Sequence, residues 1–384
     1  MKTRPLAGTV SQTLLIIDDE PEICTALATA FNERGRHIIV CRDAEAAQFV
    51  IERFPITHVL TDIRLTGPFR FEGLDIIDQV KRHAPAASIV VLTGHSTDEL
   101  QKEARKRGAV SVLQKPASIE EIEQFLPHPE NDGESMLTIL PSIDEILDGG
   151  LLHAQFQPIV WNEQPKHAVG FEALTRVRTE SLLADPEVLF RYAQAKGRVV
   201  DLELAAAAIS LKSGRELASI GFISVNAHPV VFTEIDRFCD GIINAASDAG
   251  VSPARLVLEI TEQAPLPELR RVEAAATILR SHGVRFAFDD LGTAYSHLPS
   301  IAAVRPSYLK ISQDFGTSCE ANPAHRKIIE NVQALAASFS SEVVLEGIET
   351  EETATFARDT GIRFGQGYFY SRPGESSALV ARYS

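Results

Sequence analysis

Short runs of β-branched and apolar residues alternate with amphipathic stretches along almost the whole chain, and this alternation constrains its fold more than any other feature. The first runs are Leu14–Ile17, Ile38–Val40, Val59–Leu60, Ile89–Leu92 and Val110–Leu113, with helical patterns such as Glu22–Arg34 and Ala44–Arg53 between them. A longer second set comprises Phe156–Val160, Val169–Leu174, Phe222–Asn226, Leu256–Thr261, Arg285–Asp290, Tyr308–Ser312, Val343–Ile348 and Phe364–Tyr370. Strands separated by helices pair in parallel, since only a long crossover lets a chain re-enter a sheet in the same direction. About five units predict an open, doubly wound (βα)5 sheet. About eight in the remainder predict a closed (β/α)8 TIM-like barrel, so the fold class is α/β throughout.

The two sets are divided by Pro127-His128-Pro129-Glu130-Asn131-Asp132-Gly133-Glu134-Ser135, rich in Pro, Gly and polar residues and without periodicity. A chain of 384 residues also exceeds what one hydrophobic core usually organises. The sequence thus predicts a first domain over residues 13–126, a linker over 127–142 and a barrel over 143–384.

Charge and composition narrow the function. The net charge of −15 repels nucleic acid, and no basic helix-turn-helix segment follows the first domain, so no DNA binding is expected. No apolar run approaches the roughly 20 residues that span a bilayer, and Met1–Gln12 has no apolar core of a secretory signal. Cys24, Cys41, Cys239 and Cys319 are scattered and read as reduced thiols, which fits a cytoplasmic protein with no membrane partner.

In the first domain Asp18 and Asp19 follow the first strand and Asp62 ends the third. A parallel sheet brings such ends together, and three crowded carboxylates call for a hard cation such as Mg²⁺. A carboxylate beside that cation can accept a phosphoryl group. Thr93 offers a hydroxyl at the end of the fourth strand, and Lys115, before Pro116, offers a positive charge for phosphate. The triplet Asp18-Asp19-Glu20, the stretch Thr61-Asp62-Ile63-Arg64-Leu65, Thr93 and Lys115-Pro116 together resemble a response-regulator receiver domain. That resemblance implies phosphorylation of Asp62 by a partner histidine kinase, with Mg²⁺ held by Asp18, Asp19 and Asp62. Two departures stand out: Val112 occupies a position where many receivers carry an aromatic residue, and the loop from Asp62 through Pro68 and Phe71 to Gly73 is longer than usual.

In the second domain Glu172, Asn226, Glu259, Asp289, Asp290, Lys310, Glu346 and Gln366 stand in or just after successive apolar runs. Barrel enzymes place their chemistry at the C-terminal strand ends. So many carboxylates on one face need cations to stay ionised, and oxygen ligands with one amide suit two Mg²⁺ or Mn²⁺ ions. Two such ions about 3.5–4 Å apart are an apparatus for phosphodiester hydrolysis.

At these residues the sequence is similar to the EAL family of cyclic di-GMP phosphodiesterases. Phe171-Glu172-Ala173-Leu174-Thr175-Arg176 carries the naming tripeptide; Gln157-Pro158-Ile159, Val225-Asn226, Glu259-Ile260-Thr261-Glu262, Asp289-Asp290-Leu291-Gly292-Thr293, Leu309-Lys310-Ile311, Glu346-Gly347-Ile348-Glu349 and Gln366-Gly367-Tyr368 complete the ordered series. The resemblance implies that Glu172, Asn226, Glu259, Asp289, Asp290 and Glu346 hold two metals and that Lys310 orients the attacking water, with Glu172 and Glu346 also counted as catalytic. It implies that Arg176 clamps a phosphate, that Leu174, Gln157 and Gln366 contact substrate, and that Glu262 and Glu349 stand behind the metal ligands, Glu262 bracing the loop Leu291–Leu298. The product is linear pGpG, and the active form is expected to be a homodimer whose receiver modulates the rate.

The series has departures: Ser312 follows Lys310-Ile311 where the family commonly has aspartate, Leu291 and Ala294 replace a phenylalanine and a glycine, and Ala227-His228 follow Asn226. They leave a second reading in play, a catalytically weak cyclic di-GMP receptor that signals through a protein partner. His228 and His297 are expected to be surface or supporting groups rather than ligands.

Overall fold

The computed structural model describes residues 12–33, 35–65, 72–94, 96–129, 134–261, 268–291, 298–317 and 319–384. Two compact units divide the chain: residues 1–149 with 179–197, and residues 150–178 with 198–384.

In the first unit β1 (Gln12–Ile17), β2 (Arg36–Cys41), β3 (His58–Asp62), β4 (Ser88–Thr93) and β5 (Ser111–Gln114) form a parallel sheet. They alternate with α1 (Pro21–Ala30), α2 (Ala44–Arg53), α3 (Glu72–His83), α4 (Asp98–Arg107) and α5 (Ile119–Glu123). Every residue of β1 and β2 is buried, as central strands covered on both faces must be. Side-chain caps start the helices: Asp43 accepts from the Ala46 amide, Thr97 from Leu100, and Ser118 forms a capping box with Glu121. The strand order β5-β4-β3-β1-β2 sets the ends of β1 and β3 side by side, which is why Asp18 and Asp62 meet.

The sheet does not stop at five strands. A sixth, β6 (Met136–Ile139), lies within the stretch expected to be linker and pairs in parallel with His37–Val40 of β2. Its Met-Leu-Thr-Ile sequence is apolar and β-competent, and the open edge of β2 supplies the ladder. The short helix α6 (Ile143–Asp148) follows, started by a Ser142–Glu145 capping box.

The second unit is a closed barrel in the order β10-β11-β12-β13-β14-β7-β8-β9. Its strands are β7 (Leu152–Trp161), β8 (Gln164–Val177), β9 (Phe222–Ala227), β10 (Leu256–Thr261), β11 (Arg285–Leu291), β12 (Tyr308–Ile311), β13 (Glu342–Leu345) and β14 (Phe364–Gly365). One strand departs from the all-parallel expectation: β7 runs antiparallel to both β8 and β14. Only Asn162 and Glu163 connect β7 to β8, and so short a turn can only reverse the chain. Below the strand ends, Ile159, Phe222, Val257, Ala287, Val344 and Phe364 pack into a buried apolar layer. Gly170 makes room for it, since a Cβ there would come within 2.4 Å of the Phe222 ring. This layer closes the barrel beneath the polar side chains and keeps water from reaching them from below.

Between β8 and α8 (Val199–Ser213) the chain forms α7 (Pro186–Ala195), which belongs to the first unit.

Candidate functional site

Lys310 on β12 is 1% exposed and sits among carboxylates from other strands. Its Nζ lies 2.8 Å from Glu259 on β10, 2.8 Å from Glu346 just after β13, 3.1 Å from Asp289 on β11 and 3.2 Å from Glu172 on β8. The acids form two groups whose ligand oxygens all lie within 4.8 Å of one another: Glu172, Glu259 and Asp289, and Asp289, Asp290 and Glu346. Asp289 belongs to both.

That second group needs an irregular backbone. Successive residues of a strand face opposite ways, so Asp289 and Asp290 would ordinarily be separated by the sheet. β11 shifts register against β12 between Phe288 and Leu291, and Asp290 takes a left-handed φ of 56°. Gly347, with φ 67°, makes a comparable turn directly after Glu346.

Electrostatics follow from burial. Removal from water pushes the Glu259 carboxyl up to about 8 and the Asp289 carboxyl up to about 6, against the opposing pull of Lys310. Burial, then repulsion from Asp289, raises Glu346 well above the usual range. Burial also acts on Glu172, but Lys310 and hydrogen bonds from Gln366, Lys310 and Asn226 outweigh it and hold that carboxyl below its ordinary value. Lys310 is likewise opposed by burial, yet its carboxylates hold its ammonium far above the usual range.

A pH prediction follows. A cation held by Glu259 and Asp289 would have to displace their protons, so affinity for Mn²⁺ is expected to rise from pH ~6 to ~8, by about tenfold per unit for each proton released. In the chelated protein the sign reverses. These acids keep protons that the unfolded chain has already lost above about 4.5, so their stabilising contribution fades as pH rises through about 6 for Asp289 and about 8 for Glu259. Thermal melts between about pH 5.5 and 8.5, with EDTA or with Mn²⁺, check both slopes.

The two glutamines expected to meet substrate are buried; Gln366 bonds Glu172, and Gln157 bonds Gln366. Gln366 Nε2 donates to Glu172 Oε2 at 2.5 Å and to Gln157 Oε1 at 3.1 Å, while Gln157 Nε2 donates to the Ser371 carbonyl. Asn226 Nδ2 reaches Glu172 Oε1 at 3.5 Å. Arg176 and Leu174 are half-buried on β8 beyond Glu172, and Arg176 donates to the Thr175 carbonyl. Ser312 accepts from the Asp314 amide and starts the helix Gln313–Gly316. Glu349 is exposed, and Glu262, Ala294 and His297 lie outside the described residues. His228 Nδ1 accepts from the Val230 amide, a capping role.

One contributor escaped the sequence analysis. Glu203 on α8 is 3% exposed, and its Oε1 accepts from the His228 amide at 2.6 Å, two residues after Asn226. Burial pushes its carboxyl up to about 8. The signal was an acid inside the apolar run Leu202–Ala208.

The first unit carries its own acidic site. Asp18, Asp19 and Asp62 bring ligand oxygens within 4.8 Å of one another. Lys115 Nζ lies 2.7 Å from Asp18 and 2.6 Å from Asp62, and the Lys115 amide bonds the carbonyl of buried Thr93. Burial raises the carboxyls of Asp18 and Asp19. For Lys115 burial is outweighed by its bonds to Asp18 and Asp62, which raise it. Pro68 and Phe71 of the following loop lie outside the described residues.

All four cysteines are unpaired and buried, and among the described residues no helix is long and apolar enough to cross a membrane.

Comparison with known proteins finds a family for each part of the chain. A family model of the EAL domain matches residues 142–373, and one of the response regulator receiver domain matches residues 14–126. Cyclic di-GMP phosphodiesterase RocR of Pseudomonas aeruginosa is 25% identical over 391 aligned residues, covering 94% of this chain and 95% of its own. Cyclic di-GMP phosphodiesterase PdeL of Escherichia coli is 29% identical over 161 residues, 42% of this chain and 44% of PdeL. The chain spans less than half the length of PdeL and of several other curated relatives it matches. Among solved structures, the PaMucR phosphodiesterase in complex with c-di-GMP is similar with a TM-score of 0.54 at 26% identity, over 60% of this chain and 99% of that one.

Proposed function

Because this chain belongs to the EAL domain family and carries a response regulator receiver domain ahead of its barrel, we propose that it hydrolyses cyclic di-GMP to linear pGpG with two divalent cations, Mg²⁺ or Mn²⁺. The observation that carries the reading is the pair of acidic groups that share Asp289 around Lys310. Their donors are carboxylate oxygens, with the Asn226 amide beside Glu172, a set that fits two hard cations. Such cations, when bound, acidify water and neutralise phosphate charge.

The chain's own residues have distinct tasks in this reading. Glu172, Asn226, Glu259, Asp289, Asp290 and Glu346 would hold the cations. Lys310 offsets the charge of these acids and orients the attacking water. Gln366 donates to the Glu172 carboxylate and is itself held by Gln157, and Leu174, Arg176, Gln157 and Gln366 receive the substrate, the guanidinium meeting a phosphate. Asp62 would accept a phosphoryl group from a histidine kinase; Asp18, Asp19 and Asp62 would hold Mg²⁺, and Lys115 and Thr93 would meet the phosphate. Phosphorylation modulates hydrolysis in a cytoplasmic homodimer.

Glu172→Ala is expected to retain the fold and lose pGpG formation by at least about 10³-fold, since it removes a ligand whose cation contributes several kcal/mol. Chromatography of the products checks this, and wild-type turnover in the variant would place the site elsewhere. Ser312 favours a second reading, a receptor that binds cyclic di-GMP without turnover, because a hydroxyl capping a helix brings no carboxylate to the site. The presence of all six expected metal-holding residues favours the enzyme.

A further inference from the structure

Residues 179–197 leave the barrel strand β8 and become part of the same compact unit as the receiver sheet, then return to the barrel unit at α8. Their helix α7 packs on α2 through a specific set of contacts. Tyr192 is fully buried, and its hydroxyl donates to Asp43 Oδ2 at 2.6 Å. Its ring meets Phe49 edge-on at 6.4 Å between centroids, and the Arg191 guanidinium lies 5.3 Å from the Phe49 ring. Lys196 Nζ is 3.1 Å from Glu45 and 3.8 Å from Asp43, and Arg191 is 3.8 Å from Glu52.

Asp43 has two tasks at once. Its Oδ1 starts α2 by accepting from the Ala46 amide, while Oδ2 holds Tyr192. It also stands two residues beyond Cys41, whose neighbour across the ladder is Ile17, the residue before Asp18. A displacement at the end of β1 therefore has a short path through β2 to Asp43. At the far end both exits lead to the barrel site by chain connection. β8 carries Glu172 and Arg176, and α8 carries Glu203, which holds the amide two residues after Asn226.

We propose that residues 179–197 are the output element of the receiver: a change at Asp18, Asp19 and Asp62 moves Asp43, repositions α7, and through β8 and α8 alters the placement of Glu172, Arg176 and Asn226. Discrete polar contacts in a packed interface switch between arrangements rather than deform smoothly. The hydrolytic readout of this proposal rests on the phosphodiesterase reading.

The test uses the full-length protein with Mg²⁺, with and without beryllofluoride as a phosphoryl mimic, and Asp62→Ala as control. Two measurements are made: the rate of pGpG formation, and hydrogen exchange of the amides in residues 186–195. The wild type is expected to change rate by about fivefold or more, the lower end for coupled sites, together with exchange in α7, and Asp62→Ala is expected to show neither. Tyr192→Phe keeps the ring contact and loses only the bond to Asp43. Lys196→Met removes the neighbouring charge. Either variant is expected to keep the basal rate and lose most of the response. Full response in both variants overturns the proposal, as does unchanged α7 exchange in the wild type. If the wild type produced no pGpG, the phosphodiesterase reading would fall, while exchange in α7 would still support the proposal by changing or refute it by staying constant.

Discussion

Asp289→Asn is expected to lower cyclic di-GMP hydrolysis by at least about 10⁴-fold, the largest loss for any single conservative change in the barrel. Asp289 is the carboxylate common to both acidic groups, so in the proposed two-cation reading its amide would weaken both positions together. Each position contributes several kcal/mol of charge stabilisation, and about 1.4 kcal/mol is tenfold in rate. The substitution removes one negative charge from a set whose members already repel one another: burial and its carboxylate neighbours push Asp289 up to about 6. Without metal the variant is therefore expected to melt no lower than the wild type. With Mn²⁺ the wild type gains stability and the variant gains little, because a ligand stabilises only the state that binds it. Wild-type turnover in Asp289→Asn would show that the shared carboxylate has no part in the chemistry.

Lys310→Met is expected to do the opposite to stability. Lys310 Nζ lies within 3.2 Å of four carboxylates, and both Lys310 and Glu259 are 1% exposed. Removing one side of a buried ion pair typically costs about 3–5 kcal/mol, roughly 10 °C in Tm for a unit of this size. That loss is expected in EDTA as pH rises through about 8, where Asp289 and then Glu259 give up their protons. It shrinks toward pH 5.5 as Glu259 and Asp289 take them up. Mn²⁺ is expected to recover most of the lost stability, since it supplies the missing positive charge. Activity is not recovered: losing one preorganised electrostatic group costs on the order of 10²–10³ in kcat. The crossed pattern of the two variants separates ligation from folding in a way that activity alone does not.

The sequence carried the strands and the acids because both obey local rules. The runs Leu14–Ile17 and Leu256–Thr261 are strands for the reason their composition suggests, and Glu172, Glu259 and Asp289 converge because they recur at strand ends. Strand direction was less legible. Val160 and Val169 are too close for a crossover helix, which was the available sign that β7 and β8 form a hairpin. β6 was obscured because Met136–Ile139 is short and follows a polar, proline-bearing stretch. The meeting of Asp289 with Asp290 contradicts strand alternation and depends on a bulge and a left-handed residue that no pattern announces. Gln157 and Gln366 illustrate a different limit. An amide at a strand end can face a nucleotide or a carboxylate, and only three-dimensional depth puts Gln366 against Glu172 with Gln157 behind it. The Asp43–Tyr192 contact joins residues 149 positions apart, beyond any local signal.

The most direct test of the account is conversion of cyclic di-GMP by the purified protein with Mg²⁺ or Mn²⁺ and with EDTA, followed by chromatography. The expected result is pGpG in the presence of either cation and none with the chelator, restored when the cation is returned in excess. Saturable binding of cyclic di-GMP with no pGpG at any cation concentration would contradict it and leave the barrel as a receptor.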